Sequence, residues 1–364
     1  MGGDRPGRRP AGRAVLSRFV AVAVALPRLE LDRPFTYRLP DGLEAETGHL
    51  VSVPFHGRTV KGWVLGPTDD VPERVLAVRR VLSPLPVFDE PTLALCRWIS
   101  ERYVVPLAVA IDRIHPPRVA AEEGRPAAPA APPPRRAVGG ALSAYPGGRA
   151  LLDAVARGSG AFVLRPLPDD ESPACVDAVA ATLAGGRDAV VVVPDAQPLP
   201  ATARAVAEAF GEACLVFVGG DPRQRYRAWL DMLAGRYRVV VGTRPAVFAP
   251  VRRPGLIWVH REAHPGHREE RTPSYQVREV ALARARLAGA ACVLAGHAPS
   301  ADAADLADAG RVGLVRPPRE VERRAAPVVE TARPDAEDRS ARLGALLRGA
   351  RGAFLLVSRR GYGV

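Results

Sequence analysis

Six short apolar runs, separated by segments of helical character, constrain the fold of this chain more than any other feature. They are Ala161–Leu164, Ala189–Val193, Cys214–Val218, Arg238–Val241, Leu256–Val259 and Cys292–Leu294. Between them, Cys175–Leu183, Ala201–Phe210, Gln224–Leu233 and Tyr275–Ala288 place apolar residues at helical spacing. A run such as Ala189-Val-Val-Val-Val193 has no polar face, so both faces must be buried. A parallel sheet covered by helices on each side meets that need. The expectation is one α/β domain over residues 141–310.

The rhythm before this domain is different. Phe19–Leu26, Phe35–Leu39, His49–Phe55, Val60–Leu65 and Leu76–Leu82 read as short strands, parted by turns at Pro40-Asp-Gly42 and His56-Gly57. Residues 89–114 read as helix, with Leu93, Cys96, Trp98, Ile99 and Tyr103 on one face and Asp89 as its cap. Residues 19–115 are therefore expected to form a small, mostly β module. Pro126-Ala-Ala-Pro-Ala-Ala-Pro-Pro-Pro-Arg-Arg136 cannot build a packed core, so 116–140 is expected to be an extended linker. Residues 1–18, with Arg5, Arg8, Arg9 and Arg13, are expected to be a disordered basic arm. After Gly310 the pattern fades. A helix over Ser340–Arg348 and a strand over Phe354–Val357 predict the incomplete start of a further region, 311–364.

Charge narrows the partners. The 51 basic and 39 acidic residues leave a net +12, and Lys61 is the single lysine. Cations favour a polyanionic partner because binding to a phosphate backbone releases counterions. Such lopsided arginine usage also fits a coding bias. Cys96, Cys175, Cys214 and Cys292 form no C-x-x-C pair and read as core thiols of a reducing compartment. The apolar run Val20–Pro27 is too short to span a bilayer, so the expectation is cytoplasmic, with no membrane partner.

In a sheet of this kind ligands bind beyond the carboxyl ends of the strands. A phosphate cradle there needs glycines whose N–H groups converge and a lysine that reaches the β/γ-phosphates. The first strand is followed instead by Arg165-Pro-Leu-Pro-Asp-Asp-Glu-Ser172. Prolines lack N–H groups, and Asp169, Asp170 and Glu171 repel phosphate. The acidic trio is expected to cap the next helix.

A hydrolase would offer adjacent carboxylates for Mg²⁺ after Leu256–Val259. His260-Arg-Glu-Ala-His264-Pro-Gly-His267 offers only Glu262. Its three histidines read as solvated loop residues in preference to a metal cluster. In Val241-Gly-Thr-Arg-Pro-Ala-Val-Phe-Ala-Pro250, Thr243 is a candidate cap or phosphate contact and Arg244 a candidate phosphate contact, although a structural turn explains the segment equally well. Phe35, Tyr37, Phe55, Lys61 and Trp63 interleave rings with a cation, which suits a single-stranded end. Burial of the rings for stability is the competing account.

These residues resemble a known family, the bacterial primosomal replication-restart helicases (PriA, or primosomal protein N′). Val24-Ala-Leu-Pro27, Phe35-Thr-Tyr37, Leu39-Pro40, Gly48 and Val53-Pro-Phe55 look like its 3′-end-binding domain. Val241–Pro250 is similar to its G-T-R-S-A-L-F-x-P segment, Tyr275-Gln-Val-Arg278-Glu to its R-Y-H-A-R-D helix, and Ser358-Arg-Arg-Gly-Tyr362 to its N-R-R-G-Y element. The departures matter as much. Thr36 stands where aspartate is common. The Walker-type motif falls on Arg165–Ser172, the D-E-E-H box on His260-Arg-Glu-Ala263, and G-S-A-T-P on Gly296-His-Ala-Pro-Ser300.

The resemblance implies an actinobacterial-type member with a RecA-like parallel-sheet helicase lobe, 141–310, behind a 3′-end DNA-binding domain, and the start of a second lobe. Phe35, Thr36, Tyr37, Lys61, Thr243 and Arg244 become its DNA-binding candidates. Arg165, Asp169, Asp170, Glu171 and Ser172 form a degenerate nucleotide loop, and Glu262 a degenerate Mg²⁺ box. The family uses ATP with Mg²⁺ and structural zinc, whereas no catalytic residue, cofactor or metal is expected in this chain. Its zinc ligands would fall past Val364, and the family's winged helix is expected to be missing. Implied partners are forked or 3′-ended DNA, primosome proteins, and the replicative helicase loader or single-strand-binding protein. An active 3′→5′ DNA helicase and a non-enzymatic scaffold or decayed fragment remain the alternatives.

Overall fold

The computed structural model describes residues 18–138, 140–329 and 341–352. The expected basic arm before Arg18, the expected strand Phe354–Val357 and the R-R-G-Y-like element lie outside the described residues. The chain divides into two compact units after Pro318.

The first unit opens with β1 (Phe19–Val24), β2 (Phe35–Arg38), β3 (Leu50–Phe55), β4 (Arg58–Pro67), β5 (Leu76–Ala77) and β6 (Arg80–Val81). They form one six-stranded sheet in the order β5-β2-β1-β4-β3-β6. The segment Leu76–Leu82, which reads as a single strand, is divided. Its first part pairs with β2 and its second with β3. One short segment thereby joins the two sides of the sheet, which curls into a small barrel, by pairing with Tyr37 and Arg38 of β2 and with Val51 and Ser52 of β3. Val20, Val22, Val24, Tyr37, Val51, Val53, Phe55, Val64 and Val78 fill the interior. Gly62 is required there: a Cβ would lie 2.6 Å from Val22 Cγ1 and 2.9 Å from the Ala23 carbonyl oxygen.

The single helix expected over 89–114 is two, α1 (Glu90–Tyr103) and α2 (Leu107–Arg113). Asp89 caps α1 as expected, its Oδ1 accepting from the Thr92 N–H at 3.0 Å. The break falls at Val104, whose φ is +51°, two residues before Pro106. Proline disfavours helical backbone in the residue before it, so the signal was present in the sequence.

The linker expected at 116–140 is not extended throughout. Ala120–Glu123 is a helical turn, α3. Residues 126–137 carry no regular element.

The α/β lobe contains α4 (Gly148–Arg157), β7 (Ala161–Leu164), α5 (Glu171–Ala184), β8 (Asp188–Val192), α6 (Ala201–Phe210) and β9 (Cys214–Phe217). It continues through α7 (Pro222–Leu233), β10 (Val239–Gly242), β11 (Pro254–His260), α8 (Val277–Ala288), β12 (Ala291–Ala295), α9 (Ala301–Asp308) and β13 (Gly313–Val315). Seven strands form a sheet ordered β13-β7-β12-β11-β8-β10-β9, and all its pairings are parallel. β13 pairs with β7 at the edge, so the lobe runs to Val315, beyond the boundary expected at Gly310.

Alternate residues of each strand feed two apolar layers. Val191, Trp258 and Val293 pack under α4, α5 and α6. Val190, Ile257 and Leu294 pack on the other side with Val280 of α8 and Trp229 of α7. That second layer is continuous with Leu93 and Ile99 of α1 and with Trp63 of the barrel, so module and lobe share one core. Polar contacts reinforce the join. Glu122 of α3 is 1% exposed and pairs with Arg223 of α7. Glu123 accepts from Arg118, from the Tyr226 hydroxyl at 2.7 Å and from Ser83 at 2.9 Å. The Tyr103 hydroxyl donates to Glu279 of α8 at 3.0 Å.

In the second unit α10 (Arg319–Ala325) and α11 (Ala341–Gly349) are described, the latter close to the helix expected at Ser340–Arg348.

Candidate functional site

Strand alternation divides the aromatic and cationic residues of the barrel between its two faces. Phe35 pairs with Val22 and Tyr37 with Val20, and both belong to the interior. Thr36 pairs with Ala21, and Lys61 with Ser52, on the opposite face. Trp63 pairs with Leu50 on that same face and is buried against the lobe.

Tyr37 is a core residue. It is 3% exposed, its hydroxyl donates to the Pro54 carbonyl at 3.0 Å, and burial pushes its pKa up to about 12. Its ring has no face left for a base. Phe35 is only half-buried. Its ring meets Phe55 edge-on at 5.0 Å, Phe55 meets His56 at 4.5 Å, and the Arg33 guanidinium lies 5.0 Å from the Phe35 centroid. Phe35 is thus a half-open ring with one guanidinium, that of Arg33, beside it. Lys61 is exposed, and the Thr36 hydroxyl donates to the Asp70 carbonyl at 2.7 Å. Arg33 and His56 were missed by sequence reasoning. Their only signal was proximity to Phe35 and to the His56-Gly57 turn.

The second constellation lies at the carboxyl edge of the parallel sheet. Asp169 and Asp170 sit in a 3₁₀ turn, Pro168–Asp170. The expectation that the trio caps α5 is met in position, with Asp170 at the N-cap and Glu171 in the first turn, but not in side-chain hydrogen bonding. Asp170 occupies the cap position without a side-chain capping bond and instead accepts from the Tyr145 hydroxyl at 2.7 Å. Ser172 bonds to Thr202 at 2.9 Å, and Arg165 Nε donates to the His297 carbonyl at 3.2 Å.

Glu171 behaves differently. Arg261 grips its carboxylate with two bonds, Nε to Oε1 at 3.1 Å and Nη2 to Oε2 at 2.9 Å. His297 Nε2 lies 3.4 Å and His260 Nε2 3.9 Å from Oε1. Burial raises the Glu171 carboxyl, but the Arg261 bonds and charge, together with the facing His260 and His297 rings, hold it below its usual range. Arg261 adopts φ +51°, a left-handed conformation that a side chain of this size rarely takes.

Glu262 is also engaged. It is 1% exposed, and Arg278 Nη1 donates to its Oε2 at 3.0 Å. The Ser300 N–H donates to Oε1 at 2.6 Å and the Ser300 hydroxyl to Oε2 at 3.0 Å. Arg278 reaches Asp302 with its other nitrogen. Glu171 and Glu262 thus each end on an arginine.

The reading of the histidines as solvated loop residues holds for His264, which is exposed, and is corrected for the other two. His260 and His267 are 1% and 0% exposed. His260 is the last residue of β11, and the chain folds back so that His267 Nε2 lies 2.8 Å from the His260 carbonyl. Burial pushes both rings down to about 4, leaving them neutral at physiological pH. Among the described residues no group of three or more His, Cys, Asp or Glu side chains is arranged to hold a metal ion. Thr243 follows β10 and makes no side-chain cap bond. Arg244 Nη1 donates to the Gly266 carbonyl at 2.8 Å, and its Nε lies 3.7 Å from Glu269. Among the described residues no helix is long and apolar enough to cross a membrane.

Residues 21–116 match the 3′DNA-binding domain (3′BD) of PriA. Over 362 residues, the chain is 34% identical to the probable replication restart protein PriA of Mycobacterium bovis and to that of Mycobacterium tuberculosis H37Rv. Each alignment covers 91% of this chain and 54% of the relative. The replication restart protein PriA of Treponema pallidum is 28% identical over 286 residues, covering 75% of this chain and 43% of that one. The chain spans about half the length of the curated mycobacterial relatives it matches.

Proposed function

Given that the chain belongs to the PriA family of replication restart proteins, we propose that it holds forked or 3′-ended DNA without turning over ATP. One observation carries the reading: at the carboxyl edge of the RecA-like lobe, Glu171 and Glu262 are each bound to an arginine. A carboxylate that serves Mg²⁺ must face solvent and the phosphates. Glu262 faces Arg278 and Ser300 instead. The loop over Arg165–Ser172 brings prolines and acids where a triphosphate needs N–H donors and a lysine. These residues do not fit ATP with Mg²⁺, and we derive no step through it.

On this reading the barrel supplies the contact that selects an end. Phe35 stacks on the terminal base, with Arg33, Thr36 and Lys61 near the backbone, while Thr243 and Arg244 extend the contact along the lobe. Tyr37 serves the fold of this mouth and does not touch DNA. Retention of bound DNA for primosome proteins or a helicase loader follows as the role of such a holder.

Binding of the chain to a fork with a free 3′ end, to a 3′-tailed duplex and to a blunt duplex of equal length tests the proposal. The expected order is fork and tail above duplex, with affinity falling as salt rises. Equal affinity for all three substrates contradicts it.

A further inference from the structure

We propose that Arg261, His297 and His260, beside the first residue of α5, form a phosphate-type anion site that this chain keeps filled with its own Glu171 carboxylate. The inference deepens the proposed loss of ATP turnover and rests on that reading. Glu171 is the first residue of α5 and no side-chain capping bond is made there, so its carboxylate is held by groups from outside the helix. The groups around the carboxylate suit an anion. Arg261 presents a two-bond fork, the geometry that matches carboxylate and phosphate alike. His297 approaches the same oxygen from a second side at 3.4 Å.

His260 supplies the independent observation. It is 1% exposed, and neither ring nitrogen has a hydrogen-bond partner among the described residues. Leaving such a group unsatisfied is costly, and its Nε2 is aimed at Glu171 Oε1 from 3.9 Å, beyond a hydrogen bond. A carboxylate is smaller than a phosphate and falls short of that ring. A tetrahedral anion with a third oxygen would reach it. Glu171, tethered beside the site, is present at a high effective concentration and excludes free anions, an internal occupant where a nucleotide enzyme would admit its substrate.

Inorganic pyrophosphate is the probe, titrated by calorimetry against the full chain and its variants. The wild-type chain is expected to bind none at millimolar concentration, and its His297 ring resonances are expected to stay unchanged. Glu171→Ala removes the resident charge and is expected to bind pyrophosphate about tenfold more tightly than the wild type or better. Adding Arg261→Ala to that variant is expected to abolish the gain. Should Glu171→Ala fail to fold, Glu171→Gln carries the same expectation. A shift of the wild-type His297 resonances on adding pyrophosphate overturns the proposal whatever the variants do. So does a folded Glu171 variant that binds no pyrophosphate, or a double variant that binds as well as the single one. DNA binding by the wild type is scored in the same series. Failure of the anion site with fork preference and ATP inertness intact therefore differs from failure of the functional reading itself.

Discussion

Replacing Arg278 with methionine is expected to destabilise the first unit by about 3–5 kcal/mol, the cost of leaving one member of a buried ion pair without its partner. The Arg278 and Glu262 side chains are 6% and 1% exposed. Removal of the guanidinium strands a carboxylate that retains only the two Ser300 donors. Chemical denaturation measures the loss as a lower midpoint at unchanged slope. The double variant Arg278→Met with Glu262→Gln is expected to recover most of it, because neutral groups of similar volume often replace a buried pair at little cost. The expectation bears on function as well as stability. A Glu262 that served a metal in solvent would tolerate the loss of Arg278 within about 1 kcal/mol, as exposed pairs do.

The second large effect concerns DNA. Phe35→Leu keeps apolar volume at the barrel mouth but removes the flat ring. Stacking of one base on an aromatic side chain contributes about 1–3 kcal/mol, which corresponds to roughly a 5- to 150-fold loss of affinity. That loss is expected on forks and tails with a free 3′ end and to be much smaller on blunt duplex. Competition binding on the three substrates reads it, with thermal unfolding as the control for the partly structural contact between Phe35 and Phe55. Equal losses on all substrates would remove Phe35 from end recognition and leave it a packing residue.

Some of this was legible in the residues and some was not. The runs Ala189–Val193 and Leu256–Val259 declared strands buried on both faces, and both lie inside the seven-stranded sheet. β13 escaped notice because three residues at a sheet edge carry no period to read. α4 was within reach: Leu151, Leu152 and Val155 give an apolar face just after the Pro146-Gly-Gly turn. Alternation over Leu76–Leu82 marked extended chain correctly, yet no local pattern says that its two ends pair with different strands.

The site divides in the same way. The lack of glycine and lysine in Arg165–Ser172 is a local fact, visible without coordinates. The ion pair that fills the place joins residues 90 apart in sequence, and only folding brings them together. Arg261 in place of an acid in the D-E-E-H-like box was the available clue. The histidines misled because His260-Arg-Glu-Ala-His264-Pro-Gly-His267 has the composition of a wet loop, while the end of β11 carries His260 into the core. Interleaving rings with a cation likewise concealed that a period of two turns Phe35 and Tyr37 to the interior and Lys61 to the opposite face.

The central claim is that this chain holds DNA while its lobe cannot turn over ATP. Inorganic phosphate release from ATP and Mg²⁺, measured with and without saturating forked DNA on material that demonstrably binds the fork, tests it most directly. No release above the protein-free rate is expected under either condition. Phosphate release that rises when the fork is added would contradict it.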